Sequence, residues 1–186
     1  TGGMGAYSPC PFLSEEDFHR ALDKTVRPLL QRMAKEGRPY RGVLYAGLIL
    51  TKNGPYVLEY NARFGDPETQ VILPRLKSDL LPLFLEIAQG RFPQEELDWD
   101  ERYSLNVVLA SRGYPGAYEK GASISGLEGL KGKEDVFVFH AGTGRNEKGE
   151  LITAGGRVLS VTALGATLKR AQEKAYEGVY EIRFEG

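Results

Sequence analysis

Three polar residues near the end of a predicted strand form the segment best suited to chemistry. Glu59 and Asn61 are two positions apart in a β-rich run, so period-two alternation places both side chains on one face. A carboxylate and an amide oxygen together suit Mg²⁺, which accepts few protein ligands and keeps positions for water and phosphate. Arg63 continues the same alternation, and its planar guanidinium is suited to a phosphoryl group.

An ion pair at the surface is the alternative interpretation of this segment. Glu59 and Arg63 would then pair in solvent, and Gly65-Asp66-Pro67 would be an ordinary turn. Because short patterns of acids and amides are common by chance, spacing alone favours the ion pair.

A helix and a hairpin are predicted to position these residues. Ser14 precedes three acidic residues and an apolar pattern of helical spacing, which predicts the start of a helix. Two β-rich runs, residues 43–50 and 56–60, flank Asn53-Gly54, a pair that favours a tight hairpin turn. Residues 1–11, rich in Gly, Ser and Pro, predict a loop.

The second half of the chain predicts a smaller and mostly β unit. A helix is predicted at 80–89, and the charged stretch at 93–102 is interpreted as a connection between domains. Short β-like runs follow at 105–110, 136–140 and 158–161. Residues 162–178 have helical spacing. The predicted fold class is α+β, with domains at 1–96 and 97–186.

Composition excludes several classes of protein. With 41% hydrophobic and 26% charged residues, the chain matches an ordinary globular protein, and no apolar run is long enough to cross a bilayer. A formal net charge of -1 provides no global field for nucleic acid. Cys10 is the single cysteine, which suits a reducing compartment, so we expect a cytoplasmic protein. Small phosphorylated ligands therefore fit better than nucleic acid or a membrane.

Two glycine-rich segments are further candidates for binding. Backbone N–H groups of Gly2-Gly3-Met4-Gly5 are suited to an anion, but no helix follows at once, and a flexible turn is the alternative. Arg157 follows Gly155-Gly156. It is interpreted either as an arginine that binds a phosphate or as a surface arginine beside a turn. Arg75 and Lys77 predict a solvated basic face.

The chain resembles the phosphoribosylamine–glycine ligase family of ATP-grasp enzymes, also called glycinamide ribonucleotide synthetases. Residues 59–70, EYNARFGDPETQ, are similar to one signature of that family, and residues 1–9, TGGMGAYSP, to a second. Further similarity runs through 42–46, 77–80, 113–116, 139–143 and 155–164, and so covers nearly the whole chain. The resemblance implies the second half of an ATP-grasp domain followed by a small β-rich carboxyl-terminal domain.

The implied activity is an ATP-dependent ligation in purine biosynthesis. Glycine would be activated as glycyl phosphate, and 5-phosphoribosylamine would attack it to give glycinamide ribonucleotide, ADP and phosphate. A carboxylate is a poor electrophile until it is phosphorylated, so the enzyme must neutralise phosphate charge and exclude water. Another ATP-grasp carboxylate–amine ligase and a non-enzymatic binding module are the alternatives.

The resemblance also implies roles for the candidate residues. Glu59 and Asn61 would hold Mg²⁺ or Mn²⁺ with ATP, and Arg63 and Asp66 would be catalytic. Substrates would be bound by Gly3, Gly5, Glu68, Gly156 and Arg157, the last at the ribose 5-phosphate. For Asp66 and Glu68 the alternatives, a turn residue and a helix cap, are equally open.

Two departures qualify the resemblance. Many ATP-grasp enzymes carry another acidic metal ligand on the preceding strand, where this chain has residues 45–49, YAGLI, so two protein ligands are expected. The family also has an amino-terminal α/β domain and a nucleotide-binding lid, and neither precedes Thr1. The expected partner is therefore the amino-terminal part of the same protein, and we expect no turnover by this chain alone.

Overall fold

The structure is a computed structural model that describes residues 2–91 and 96–186. Packing divides the chain into two units. The four-stranded unit comprises Thr1–Pro9, Asp66–Lys77 and Trp99–Gly186, and the hairpin unit comprises Cys10–Gly65 and Ser78–Asp98. The units alternate along the sequence, whereas the predicted division at residue 96 is sequential, and that division stays a prediction.

The hairpin unit contains the predicted first helix and hairpin. Helix α1, Glu15–Lys35, begins where Ser14 Oγ accepts the Asp17 N–H at 3.1 Å. Strand β2, Tyr45–Thr51, pairs antiparallel with β3, Gly54–Asn61. Both predictions are confirmed. Helix α3, Leu80–Ala88, follows the Asp79 cap, as predicted.

An antiparallel sheet forms the centre of the four-stranded unit. In the described residues its order is β1, β4, β8, β5. The strands are Gly5–Ser8, Tyr103–Ala110, Arg157–Gly165 and Val136–His140 respectively. Helix α4, Leu168–Glu181, packs on this sheet, and a Cβ at Gly178 would lie 2.8 Å from Val161 Cγ1. Val158, Leu159 and Val161 of β8 are completely buried and belong to the main core of the unit.

Smaller elements complete this unit. They are helix α2 at Thr69–Ile72, single 3-10 turns at Leu73–Arg75 and Leu127–Leu130, and a hairpin of β6, Thr143–Arg145, with β7, Leu151–Thr153. Helix α2 contacts β1 and β4. Within the described residues, every helix is too short or too polar to span a membrane.

Three predictions about this unit are wrong. Residues 5–8 form β1 rather than a loop, because they pair with β4 about a hundred positions later. Residues 162–165 extend β8 through pairs with β4, and the helix begins only after Thr167, whose side chain accepts the Arg170 N–H at 3.2 Å. Arg75 is half-buried: Nε donates to the carbonyls of Asp100 and Arg102, at 3.1 and 2.8 Å, and Nη1 donates to Ser8 Oγ at 2.7 Å.

A network of ion pairs joins the start of β4 to α4. Arg102 lies 2.7 Å from Asp100 and 2.8 Å from Asp135, and Lys174 lies 3.2 Å from Asp135. Hydrogen bonds from the Arg102 side chain and backbone lower the pKa of Asp100 to about 2. Burial acts to raise the pKa of Asp135, but hydrogen bonds from Arg102 and Lys174 lower it overall.

We expect this network to stabilise the fold at neutral pH and to fail in acid. The folded pKa of Asp100 lies below the value of about 3.9 for an unfolded aspartate, so its contribution is complete above about pH 4. It is lost as the pH falls through about 2. Asp100→Asn should lower the free energy of unfolding by about 1–2 kcal/mol at pH 6.

Urea unfolding of the full chain at pH 6 and at pH 2 measures this difference. The loss of unfolding free energy caused by Asp100→Asn should largely disappear at pH 2. The control variant Glu119→Gln, at an exposed position, should leave the free energy of unfolding unchanged at both pH values. An equal loss of unfolding free energy at pH 6 and pH 2 would contradict a stabilising role of the Asp100 charge.

Candidate functional site

Glu59 and Asn61 share one face of the β2–β3 hairpin. Glu59 pairs with Gly47 across the strands, and Asn61 pairs with Tyr45. A Cβ at Gly47 would lie 3.2 Å from Glu59 Cγ and 3.4 Å from Cε1 of the Tyr45 ring. The missing side chain of Gly47 therefore leaves room for the Glu59 side chain on this face.

The neighbouring residue Tyr60 shows which way this face points. Its Oη donates to the Thr25 carbonyl in α1 at 2.8 Å. Because successive strand residues point to opposite faces, Glu59 and Asn61 face away from α1. Glu59 is exposed and Asn61 is half-buried, so the carboxylate is accessible from solvent.

Arg63 does not continue the strand. Strand β3 ends at Asn61 and the chain bends at the next two residues, so the predicted alternation to Arg63 is wrong. The exposed guanidinium donates from Nη1 to the carbonyl of Phe64 at 2.7 Å. In the part of the chain that the structure describes, Arg63 and Glu59 form no ion pair, so the predicted alternative of a surface ion pair between them is wrong.

The oxygen donors on this face fit Mg²⁺ bound together with a nucleotide. Among residues 2–91 and 96–186, no three His, Cys, Asp or Glu side chains come together as a metal cluster. Glu59 and Asn61 alone would make an incomplete site for an ion that needs a full protein cage. Mg²⁺ instead binds through one or two carboxylates and retains water and phosphate oxygens. An accessible carboxylate beside an amide matches that requirement.

A second group of candidate residues meets at Arg157, in the four-stranded unit. Nη1 donates to the carbonyls of Gly3 and Asp66, both at 3.1 Å. Nη2 lies 2.7 Å from Asp66 Oδ2, in an ion pair whose arginine side chain is 23% exposed. Arg157 thus joins segments that lie 154 and 91 residues earlier in the chain, and it is not a simple surface arginine.

Asp66 is held from two sides. Its Oδ2 accepts from Arg157 and its Oδ1 accepts from Gln70 Nε2 at 3.0 Å. The carboxylate therefore does more than close a turn. Glu68 stands at the N-cap position of α2, but its side chain makes no capping hydrogen bond. The helix-cap interpretation of Glu68 is therefore wrong.

The candidate glycines are closely approached by other parts of the protein. A Cβ at Gly3 would lie 2.5 Å from Pro67 Cδ, and one at Gly5 would lie 2.8 Å from the Asn106 carbonyl oxygen. At Gly156 it would lie 2.4 Å from Cδ2 of Tyr114. Such distances exclude any side chain, so packing alone explains these glycines, and their contact with substrate stays a prediction.

Two residues in this group had no predicted role. Gln70 binds Asp66, and Tyr114 Oη accepts the Gly2 N–H at 2.9 Å. Both lie in segments of family resemblance, but nothing in their spacing indicates these contacts, because the partners are distant in sequence. The structure therefore gathers Gly3, Gly5, Asp66, Glu68, Gly156 and Arg157 in the four-stranded unit, and Glu59, Asn61 and Arg63 in the hairpin unit.

Comparison with protein families gives two matches along the chain. Residues 1–69 match the ATP-grasp (A) domain of phosphoribosylglycinamide synthetase, and residues 104–186 match the C domain of the same synthetase. The two matched regions contain every candidate residue named above except Gln70.

Individual proteins show the same similarity. The phosphoribosylamine–glycine ligase of Halalkalibacterium halodurans is 52% identical over 186 residues, which is 100% of this chain and 42% of that protein. The solved phosphoribosylamine–glycine ligase of Thermotoga maritima has a TM-score of 0.82 at 39% identity, over 100% of this chain and 45% of that one. An L-amino acid ligase from Bacillus licheniformis, with a TM-score of 0.65 and 18% identity over 99% of this chain and 44% of its own, shares the fold. The chain therefore spans less than half the length of the relatives that it matches.

Proposed function

Because this chain belongs to the phosphoribosylglycinamide synthetase family, we propose that it forms part of an ATP-dependent ligase that joins glycine to 5-phosphoribosylamine. The observation that carries this proposal is the 52% identity with a curated ligase over the whole of this chain. The products would be glycinamide ribonucleotide, ADP and phosphate. The partner of this chain would be the remaining part of the longer protein, which would supply the rest of the nucleotide site.

Glu59 and Asn61 would hold a divalent ion, Mg²⁺ or Mn²⁺, with the phosphates of ATP. When bound, the ion neutralises charge that builds up on the transferred phosphoryl group. The side chains contribute one negative charge and one neutral oxygen donor, so the bound ion would keep positive charge to offset the phosphates of ATP. Their spacing of two residues on a paired strand puts both side chains on the same face.

Arg63 would bind the phosphoryl group during transfer. The carboxylate oxygen of glycine attacks the γ-phosphorus of ATP, ADP leaves, and glycyl phosphate results. Arg63 lies two residues beyond the end of the paired strand, and its guanidinium is exposed. A planar guanidinium binds two phosphate oxygens at once and stabilises their charge.

Arg157 and Asp66 would act on the second substrate. Within the described residues, Nε and one proton of Nη2 of Arg157 have no hydrogen-bond partner, so they are available to the phosphate of 5-phosphoribosylamine. Asp66 would orient the attacking amine and accept its proton, and Glu68 would bind the ammonium of glycine. Attack of the amine on the carbonyl carbon expels phosphate, which carries away one oxygen of the original carboxylate.

Isotope transfer in the full-length protein tests this function. Glycine labelled with ¹⁸O in its carboxylate should deliver one labelled oxygen to the released phosphate, and ADP formation should require both glycine and 5-phosphoribosylamine. Ligation with another amine acceptor in place of 5-phosphoribosylamine would instead indicate a different carboxylate–amine ligase. Absence of ADP formation with every acceptor would contradict the enzyme assignment.

A further inference from the structure

The phenol of Tyr114 contacts the glycine-rich loop directly. Its Oη accepts the N–H of Gly2 at 2.9 Å, across 112 residues of sequence. Glycine at this position has no side chain that could hold the loop, so a backbone hydrogen bond is the means by which this end of the loop is fixed.

The ring of Tyr114 is itself held in place by packing. It lies against the Cα of Gly156, where a Cβ would be 2.4 Å from Cδ2, and edge-on to Tyr118, with ring centroids 6.1 Å apart. Ser111 ties the same turn to the glycines: its N–H donates to the Gly156 carbonyl at 2.7 Å and its Oγ to the Gly155 carbonyl at 2.8 Å. Packing against Gly155 and Gly156, directly before β8, therefore fixes the position of Oη.

Arg157 holds the other end of the same loop. Nη1 donates to the carbonyl of Gly3 at 3.1 Å, and a Cβ at Gly2 would lie 2.8 Å from Arg157 Cζ. The loop thus offers one backbone donor to Tyr114 and one backbone acceptor to Arg157. The two contacts hold the backbone on either side of the Gly2–Gly3 peptide, one before the Gly2 Cα and the other after the Gly3 Cα, and so limit the backbone rotations that glycine otherwise permits.

We infer that Tyr114 is a positioning residue, which fixes the Gly2-Gly3 loop against Arg157 and so keeps the guanidinium aligned for a sugar phosphate. The sugar-phosphate part of this inference rests on the proposed function. Tyr114 does not touch the phosphate itself. It acts through the loop and Arg157, because loss of its hydroxyl leaves the Gly2 N–H without its acceptor and the loop with a single anchor.

The Tyr114→Phe variant of the full-length protein tests this inference, since it removes the hydroxyl and keeps the ring. Hydrogen exchange at the Gly2-Gly3 segment should become about 3- to 10-fold faster, the range that one neutral hydrogen bond provides. The dissociation constant of ribose 5-phosphate, a stable probe, should rise by a similar factor. The KM for ATP should stay at the wild-type value.

Tyr118→Phe is the matched control, because its ring also packs beside Gly156 but makes no contact with the loop through its hydroxyl among the described residues. It should leave exchange and ribose 5-phosphate binding unchanged. Unchanged exchange in Tyr114→Phe, or equal effects of both variants, would overturn the inference. If wild-type protein does not bind ribose 5-phosphate, the proposed function fails, and the exchange measurement still decides whether Tyr114 anchors the loop.

Discussion

We expect the Glu59→Gln variant of the full-length enzyme to retain less than about one hundredth of the wild-type kcat at limiting Mg²⁺. The change keeps the size of the side chain and removes its charge. Partners that only support a metal ligand typically contribute about 10- to 100-fold to affinity, and a direct ligand should contribute at least as much. Titration of Mg²⁺ against the rate of ADP formation measures the effect.

The pair of residues on the hairpin face provides an internal control. Asn61→Ala should also raise the Mg²⁺ concentration needed for half-maximal rate. Because both side chains bind one ion, the fold-loss of rate in the double variant should be smaller than the product of the fold-losses in the two single variants. Glu16→Gln, an exposed charge change in α1, should behave as wild type. Wild-type Mg²⁺ dependence in both single variants would refute the metal site.

The second large effect is expected at Arg157. Arg157→Ala should weaken ribose 5-phosphate binding by about 10- to 100-fold, since hydrogen bonds to charged groups are worth about 1.5–3 kcal/mol. The KM for ATP should change little, because Arg157 is assigned to the sugar phosphate and the nucleotide to the hairpin face. Calorimetric titration with ribose 5-phosphate measures the first quantity without requiring turnover.

Arg157→Lys separates charge from geometry. Lysine keeps the positive charge but cannot bridge the Gly3 carbonyl, Asp66 and a phosphate at once, so its affinity should lie between those of wild type and Arg157→Ala. Equal losses in ATP and ribose 5-phosphate binding would indicate general damage to the unit and would argue against a specific phosphate contact. Thermal unfolding of each variant provides the necessary check.

Local chemistry made part of this fold predictable. Ser14 and its acidic neighbours specify a helix start, and Asn53-Gly54 specifies a hairpin turn, because each depends on backbone preferences within a few residues. Glu59 and Asn61 share a face for the same reason. Only the continued alternation to Arg63 is wrong, because nothing in the sequence pattern signals that pairing with β2 ends at Asn61, opposite Tyr45; the role of Arg63 stays a prediction.

Local sequence patterns do not predict contacts between segments that are distant in sequence. The ion pair of Arg157 with Asp66 spans 91 residues, and the hydrogen bond of Gly2 to Tyr114 spans 112. Composition near Arg157 indicates only a turn before a strand. Family resemblance identified both segments as important, but it could not indicate that they bind each other, and Gln70 and Tyr114 were consequently missed.

The pairing of β1 with β4 has a consequence for how the protein is made. Gly5 pairs with Val107 and Ser8 with Ser104, so β1 leaves the ribosome well before its partner strand. At about 5–20 residues per second, the delay is on the order of 5–20 s. Throughout that interval the backbone N–H and C=O groups of β1 have no partner strand and must be satisfied by water.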